Sequence, residues 1–351
     1  MAMDTYSILC ERLGYPDSQN LRRVLQKLMS PDEARIAVEL PLVPDEIALK
    51  LGMDEKTVKD MIYDMFQKGA VISTARGNFF PQSIHQIRNS SASNPKLDDV
   101  LMPELGDLWE TFSQAEWYPA LVKMAEQGHP RARVIPALKA LEGFTDLLPG
   151  EDMEAIVERA HTLAMAPCPC RRQSHRCDKM IDACLQFNKG ADYTVTRGTG
   201  TPLTKEEAME AVYAMEYDGL VHHGYPGSHF TTICNCCGDC CQELYPLLQS
   251  GKTALALDKS RYEAEIVQAE CNGCQDCLDR CWFDAIEMQK SPDSKKLKAL
   301  VQPEKCFGCG LCVITCPTQA IKFQRVRPDM VIPDPLPERP REGAVRLEEI
   351  H

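Results

Sequence analysis

A chain of 351 residues with 44% hydrophobic side chains is long enough for two or three domains and too apolar for wholesale disorder. Its formal net charge of −12 argues against nucleic acid as the main partner and favours docking onto basic protein surfaces. No positively charged leader precedes an apolar run, and no uncharged apolar stretch approaches the roughly 18 residues of a membrane helix, so the expectation is a cytoplasmic protein without a membrane span. Cysteine sets the class: there are eighteen, and seventeen fall between Cys168 and Cys316. In a reducing compartment that density points to metal binding and away from a disulfide framework.

Residues from about Asn20 to Pro81 read as a winged helix. Helices are expected over Leu21 to Met29, Pro31 to Glu39, Val43 to Gly52 and Asp54 to Lys68, followed by a wing around Arg76 to Phe80. Val58, Ile62, Met65 and Phe66 share one face of the last helix. DNA reading requires a clustered positive face, yet residues 20–90 hold ten basic and nine acidic side chains. A protein-docking role is therefore expected over DNA binding. The next segment, to about Met165, reads as helical and acidic, and Trp109, Phe112, Trp117 and Tyr118 read as core residues. Cys10 stands alone and carries no expected role.

Nine cysteines crowd the middle: Cys168, Cys170, Cys177 and Cys184, then Cys234, Cys236, Cys237, Cys240 and Cys241. Two ligand-bearing loops are expected to flank a helical scaffold, with an amphipathic helix from about Thr204 to Tyr217 stopped by Gly219. Packing alone does not account for nine thiols here, and one or two further Fe–S clusters are expected. Adjacent cysteines do not easily reach one metal together, so some of them should point elsewhere. His222, His223 and His229 are alternative ligands or plain surface residues. Arg171, Arg172 and Arg176 either stabilise a cluster's negative charge or lie at the surface.

Cys271, Cys274, Cys277 and Cys281 form C-x2-C-x2-C-x3-C, and Cys306, Cys309, Cys312 and Cys316 repeat it 35 residues on. Gly273 matches Gly308, Ala285 matches Ala320 and Ile286 matches Ile321, the mark of a duplicated unit. The short loop suits three iron corners of a [4Fe–4S] cubane, and the fourth thiolate comes from the opposite half. One cluster is thus assigned to Cys271, Cys274, Cys277 and Cys316, the other to Cys306, Cys309, Cys312 and Cys281. Gly273, Gly308 and Gly310 are expected to let the backbone approach the sulfides. Zinc knuckles, the competing reading, use paired C-x2-C at longer separations. Cys316 is followed by proline, whereas Cys281 is followed by Trp282, which leaves the first turn open. Lys290, Lys295, Lys296 and Lys298 surround an expected hairpin tip at Pro292 and Asp293.

From about Arg261 to Arg327 the chain resembles bacterial dicluster ferredoxins. The segments Ala166-Pro167-Cys168-Pro169-Cys170-Arg171, Asp218 to His222 and Ile233 to Cys237 resemble a family of anaerobe 4Fe-4S-binding proteins, in which the same middle precedes a dicluster ferredoxin. That resemblance spans roughly Arg133 to Arg327 and implies redox function in an anaerobic setting.

The expected fold class is α+β. A winged-helix-like domain covers 1–90, an acidic helical connector 91–165, a cysteine-rich metal-binding domain 166–255, a dicluster ferredoxin domain 256–327 and a proline-rich tail 328–351. The expected function is single-electron transfer to redox protein partners or as a subunit of a larger oxidoreductase. No G-x-G-x-x-G opens a strand-to-helix turn and no P-loop is present, so chemistry on a substrate is expected on another polypeptide. Two alternatives stand beside it: a redox-sensing transcription regulator, and an enzyme whose middle-domain cluster binds substrate.

Overall fold

The computed structural model describes residues 4–74, 77–97, 101–128, 132–225, 230–291 and 294–329. Its first helices are delimited by their caps. Helix α1 (Thr5–Arg12) starts on Asp4, α2 (Gln19–Leu28) on Ser18, and α3 (Pro31–Glu39) on a capping box between Ser30 and Glu33 with proline in the first turn. Helix α4 (Pro44–Leu51) stops at Gly52, and α5 (Glu55–Lys68) runs from Asp54 to Gly69. Gly69 has φ 81°, and a Cβ there would lie 2.5 Å from the Ser90 carbonyl carbon, so only glycine closes this helix. The short antiparallel strands β1 (Ile72–Thr74) and β2 (Gly77–Phe79) follow, then α6 (Ile84–Ala92), α7 (Met102–Phe112) and α8 (Tyr118–Glu126), the last two joined through a π-helical turn. Arg76 of the expected wing lies outside the described residues, as do Pro292 and Asp293 of the expected hairpin tip.

These helices share one core that includes Leu21, Val24, Ile36, Val58 and Ile62. Trp109, Phe112, Trp117 and Tyr118 are buried in it as expected, and the Trp109 indole N–H donates to Ser91 Oγ at 3.1 Å. The stretch expected as a helical connector is thus divided. Its helices complete the N-terminal core, and its later residues enter a sheet.

That sheet was not expected. Its strands are β3 (Ala132–Ile135), β4 (Leu163–Pro167), β5 (Asp182–Phe187), β6 (Thr201–Pro202), β7 (Val221–Gly224), β8 (Thr232–Cys236) and β9 (Leu257–Asp258). They lie in the order β6-β4-β5-β8-β7-β3-β9, antiparallel except for the β3–β9 pair. Helices α9 (Met153–Glu158), α10 (Pro169–Ser174), α11 (Lys189–Thr196), α12 (Lys205–Asp218) and α13 (Leu244–Gln249) connect or cover the strands. Helix α12 falls where the sequence placed it, with a capping box of Thr204 and Glu207 and a left-handed Gly219 at its end. Cys184, Cys234 and Cys236 therefore lie on strands of a sheet, Cys170 lies in α10, and the other five middle cysteines lie in the connections beside those strands.

The C-terminal part has two similar halves. Strand β10 (Tyr262–Ile266) pairs antiparallel with β13 (Ile321–Arg325), and β11 (Ile286–Lys290) with β12 (Leu297–Val301). The one-turn helices α14 (Asp276–Asp279) and α15 (Leu311–Ile314) start after Gln275 and Gly310, both at φ 77°. Gly273 and Gly308 have a different neighbour from the one expected. A Cβ at Gly273 would lie 2.3 Å from Leu297 O, and one at Gly308 2.2 Å from Tyr262 O, so each loop crosses a strand backbone.

Arg261 joins this part to the preceding segment. Its Nε donates to Glu151 Oε1 and Oε2 at 2.9 and 3.0 Å and its Nη2 to Oε2 at 2.8 Å, with both side chains almost wholly buried. Breaking a buried pair strands the remaining charge, so Arg261→Met should lower unfolding free energy by about 3–5 kcal/mol in chemical denaturation. A loss below about 1 kcal/mol, the scale of an exposed pair, would contradict this role.

Candidate metal centres

The duplicated loops bring their eight cysteines together in two fours. Cys271, Cys274, Cys277 and Cys316 line one cavity with Ile266, Ala299 and Ile321. Cys281, Cys306, Cys309 and Cys312 line a second with Phe283, Ile286 and Phe307. Each four takes three thiols from one loop and one from the other half, because Cys281 follows α14 and Cys316 follows α15. Four thiols around an apolar space, with none of the eight in a tight trio of potential ligands, suit a cubane that keeps each thiolate on its own iron. Such a cluster supplies one-electron transfer.

Residues 270–320 match the family model of the 4Fe-4S dicluster domain. This C-terminal part is an iron–sulfur ferredoxin-type domain. No curated protein matches the chain. Burial pushes the Cys277 thiol of the dicluster domain up to about 11 and the Cys309 thiol to about 12. Loading iron therefore expels protons from neutral thiols.

The two cavities of the dicluster domain are not equally placed. Cys274 is exposed, at the solvent side of the first. Cys281 and Cys309, at the second, pack in one apolar cluster with Cys234, Cys236 and Cys241 of the middle region. Phe283 and Phe307, in the same cluster, stack with ring centroids 4.4 Å apart. The Ala137 amide donates to Cys309 O at 2.8 Å.

The nine middle cysteines separate into two groups on opposite sides of the sheet. Side chains alternate along a strand. On β8, Ile233 joins the core beneath α12, and Cys234 and Cys236 face the other way. Cys184 on β5 and His223 on β7 are register partners of Cys234, so they share its face. Together with Cys168, Cys170 and Cys241 these residues line an open cleft of about 400 Å³. Helix α6 forms its other wall through His85, Arg88 and Ser90. Cys237, Cys240 and Cys177 lie in the core on the far side.

Six thiols and a histidine around one cleft exceed the four places of a tetrahedral ion and fit a polynuclear centre. His223 Nε2 stands 3.0 Å from Cys236 Sγ, and His223, Cys236 and Cys241 have ligand atoms within 4.8 Å of one another. Burial depresses His223 to about 4, so its imidazole is neutral and competent as a ligand near neutral pH. Hydrogen bonds from the Cys168 and Cys241 thiols, with the charge of Arg88, hold Cys170 well below the ordinary thiol range. Arg88 Nη2 donates to Cys170 Sγ at 3.3 Å, and Gln186 Nε2 to Cys184 Sγ at 2.9 Å.

Sequence reasoning missed Arg88 and Gln186, because nothing in the chain links α6 to Cys170. The histidines considered as surface residues are buried, at 1% exposure for His222 and 2% for His223. His222 bonds Asn235 and Glu216 instead of a thiol, and His229 lies outside the described residues. Arg171 and Arg172 are buried, and Arg176 is half-buried. Arg171 donates twice to Asn235 O, at 3.0 and 2.8 Å. Burial opposes its charge, but Cys168, Cys236, Cys237 and Cys177 surround it and raise its pKa. Arg172 reaches Asn94 O, and Arg176 reaches Glu110 and Asp239 O.

The crossed geometry gives a direct test. Cys316→Ser should abolish the EPR signal of the cluster at the Cys271 loop and leave its neighbour, whereas Cys281→Ser should do the reverse. Each should lower bound iron by up to about four per chain. Loss of the cluster at the variant's own loop would mean that ligation is sequential within each half.

Proposed function

We propose that this protein carries single electrons between an external redox partner and an iron–sulfur centre in the six-cysteine cleft, as a subunit or partner of an anaerobic oxidoreductase. The observation that carries the reading is the order of the sites. An exposed cysteine marks the outer dicluster cavity, and the inner cavity shares an apolar cluster with the cleft thiols. Electrons would pass from partner to outer cluster, to inner cluster, to cleft. The ligands are Cys271, Cys274, Cys277 and Cys316 for the outer cluster, and Cys281, Cys306, Cys309 and Cys312 for the inner. Cys168, Cys170, Cys184, Cys234, Cys236 and Cys241 supply the third centre, with His223 beside them.

The −12 charge grows by about two per oxidised cubane, which suits a basic docking surface on the partner. Anaerobically purified protein should hold about 12 iron per chain with equal sulfide. In rapid mixing with a reduced low-potential donor, Cys281→Ser should still accept electrons at the outer cluster and pass them to the cleft more slowly. Unchanged transfer to the cleft would remove the inner cluster from the path.

The N-terminal helices and hairpin we assign to a winged helix that docks protein. On α5 the exposed cations are paired: Lys59 with Glu55 at 2.8 Å and Lys56 with Asp60 at 3.3 Å. Arg197 further ties the end of α5 to the sheet domain, donating to Phe66 O at 3.0 Å and Gln67 O at 2.9 Å. A band-shift at physiological salt should show no sequence-specific complex. Nanomolar specific binding would favour a sensor of redox state over an electron carrier.

A further inference from the structure

Cys177, Cys237 and Cys240 form, among the described residues, a converging set of three potential ligands made of thiols alone. Cys177 Sγ lies 3.5 Å from Cys237 Sγ and 3.5 Å from Cys240 Sγ, and all three lie within 4.8 Å of one another. A single tetrahedral ion with 2.3 Å metal–sulfur bonds sets its thiolates about 3.8 Å apart. A cubane puts each thiolate on a separate iron and spreads the sulfurs to about 6 Å. Among the described residues, no three of the eight dicluster cysteines converge as this trio does. The dicluster loops therefore hold wide thiol sets where a cubane belongs, and this trio is a narrow set built of thiols alone.

The surroundings agree. Cys237 and Cys240 are a C-x2-C pair on the turn through Gly238 and Asp239, half of the usual zinc-binding arrangement. Backbone amides brace the sulfurs: Cys240 N donates to Cys237 Sγ at 3.4 Å and Arg176 N to Cys240 Sγ at 3.3 Å. Arg171 adds positive charge beside Cys237 and Cys177. Cys237 and Cys240 are buried and Cys177 is half-buried, so Cys177 is the thiol on the solvent side of the trio.

We propose that these three thiolates bind one divalent, thiophilic cation of the zinc class, with a solvent molecule as fourth ligand. The ion carries no electrons. It fixes the loop that joins α10 to β5 onto the turn after β8, on the face of the sheet opposite the cleft. The site is independent of the electron path proposed above, so the two are separable by experiment.

The test is metal analysis of the full chain, purified anaerobically. It should contain one zinc per chain in addition to iron, and X-ray absorption at the zinc edge should show three sulfurs near 2.3 Å and one lighter atom. Cys177→Ser, the half-buried ligand, should reduce zinc to a small fraction and leave iron, sulfide and the cluster EPR signals unchanged. Should that variant fail to fold, the unmodified protein still decides: a mercurial thiol reagent should release one zinc per chain. Zinc well below stoichiometry in the unmodified chain would overturn the proposal. So would loss of iron and sulfide in Cys177→Ser, which would place the trio on a cluster while leaving the dicluster path intact.

Discussion

The alternation of side chains along strand β8 decides where the middle cysteines go. Cys234 and Cys236 fall on one face and Ile233 on the other, so Cys237, one residue past Cys236, is carried to the opposite side. The turn at Gly238 and Asp239 then brings the chain back in the reverse sense. Cys240 returns to Cys237, and Cys241 returns to Cys236. The run Cys236-Cys237-x2-Cys240-Cys241 is therefore two nested pairs serving two sites, an inner pair in the core and an outer pair at the cleft. An insertion of one residue would exchange the faces and dissolve both.

Charge is the second constraint. Arg88, Arg171, Arg197 and Arg261 are among the largest fully buried side chains, and isolated buried cations are strongly unfavourable. Each has a partner that explains it. Arg88 and Arg171 lie against thiols, Arg197 against carbonyls at the C-terminal end of α5, and Arg261 against Glu151. The first two offset negative charge that builds up when thiols ionise. The others fasten neighbouring parts of the chain, and Arg197 also donates to Ser90 O of α6, the wall of the cleft, at 3.0 Å. The N-terminal helices thus contribute to the metal-binding region as well as to their own core.

What could be read from sequence followed short-range rules. The dicluster spacing, the starts of α3 and α12, the stops at Gly52, Gly69 and Gly219 and the buried aromatics of 109–118 all depend on neighbours within a few residues. The seven-stranded sheet depends on none. Its strands are two to six residues long, and Cys, His and Asn occupy the places where Val or Ile would signal a strand. The burial of His222 and His223 follows from β7 lying between β3 and β8, a position that no local pattern announces. Arg88 reaches Cys170 across 82 residues of chain. Gly273 and Gly308 were legible as special positions, but the strand carbonyl each one clears emerges only from the fold.

The mismatch between the two halves of the dicluster repeat has a structural reason. Two halves related by duplication present similar surfaces, but docking onto a single neighbour requires them to differ. After Cys316 the chain turns with Pro317, which is exposed. After Cys281 the corresponding residue is Trp282, whose indole N–H donates to Gly219 O at 2.7 Å. Arg280 beside it donates to Tyr217 O at 2.7 Å and Glu216 O at 2.6 Å, closing the last turn of α12. The Trp282 ring lies over Gly238, where a Cβ would come within 2.7 Å of it, so position 238 must be glycine for the ring to seat. One aromatic substitution thus breaks the symmetry of the repeat, ties its inner half to the end of α12 and covers the turn that carries Cys237 and Cys240.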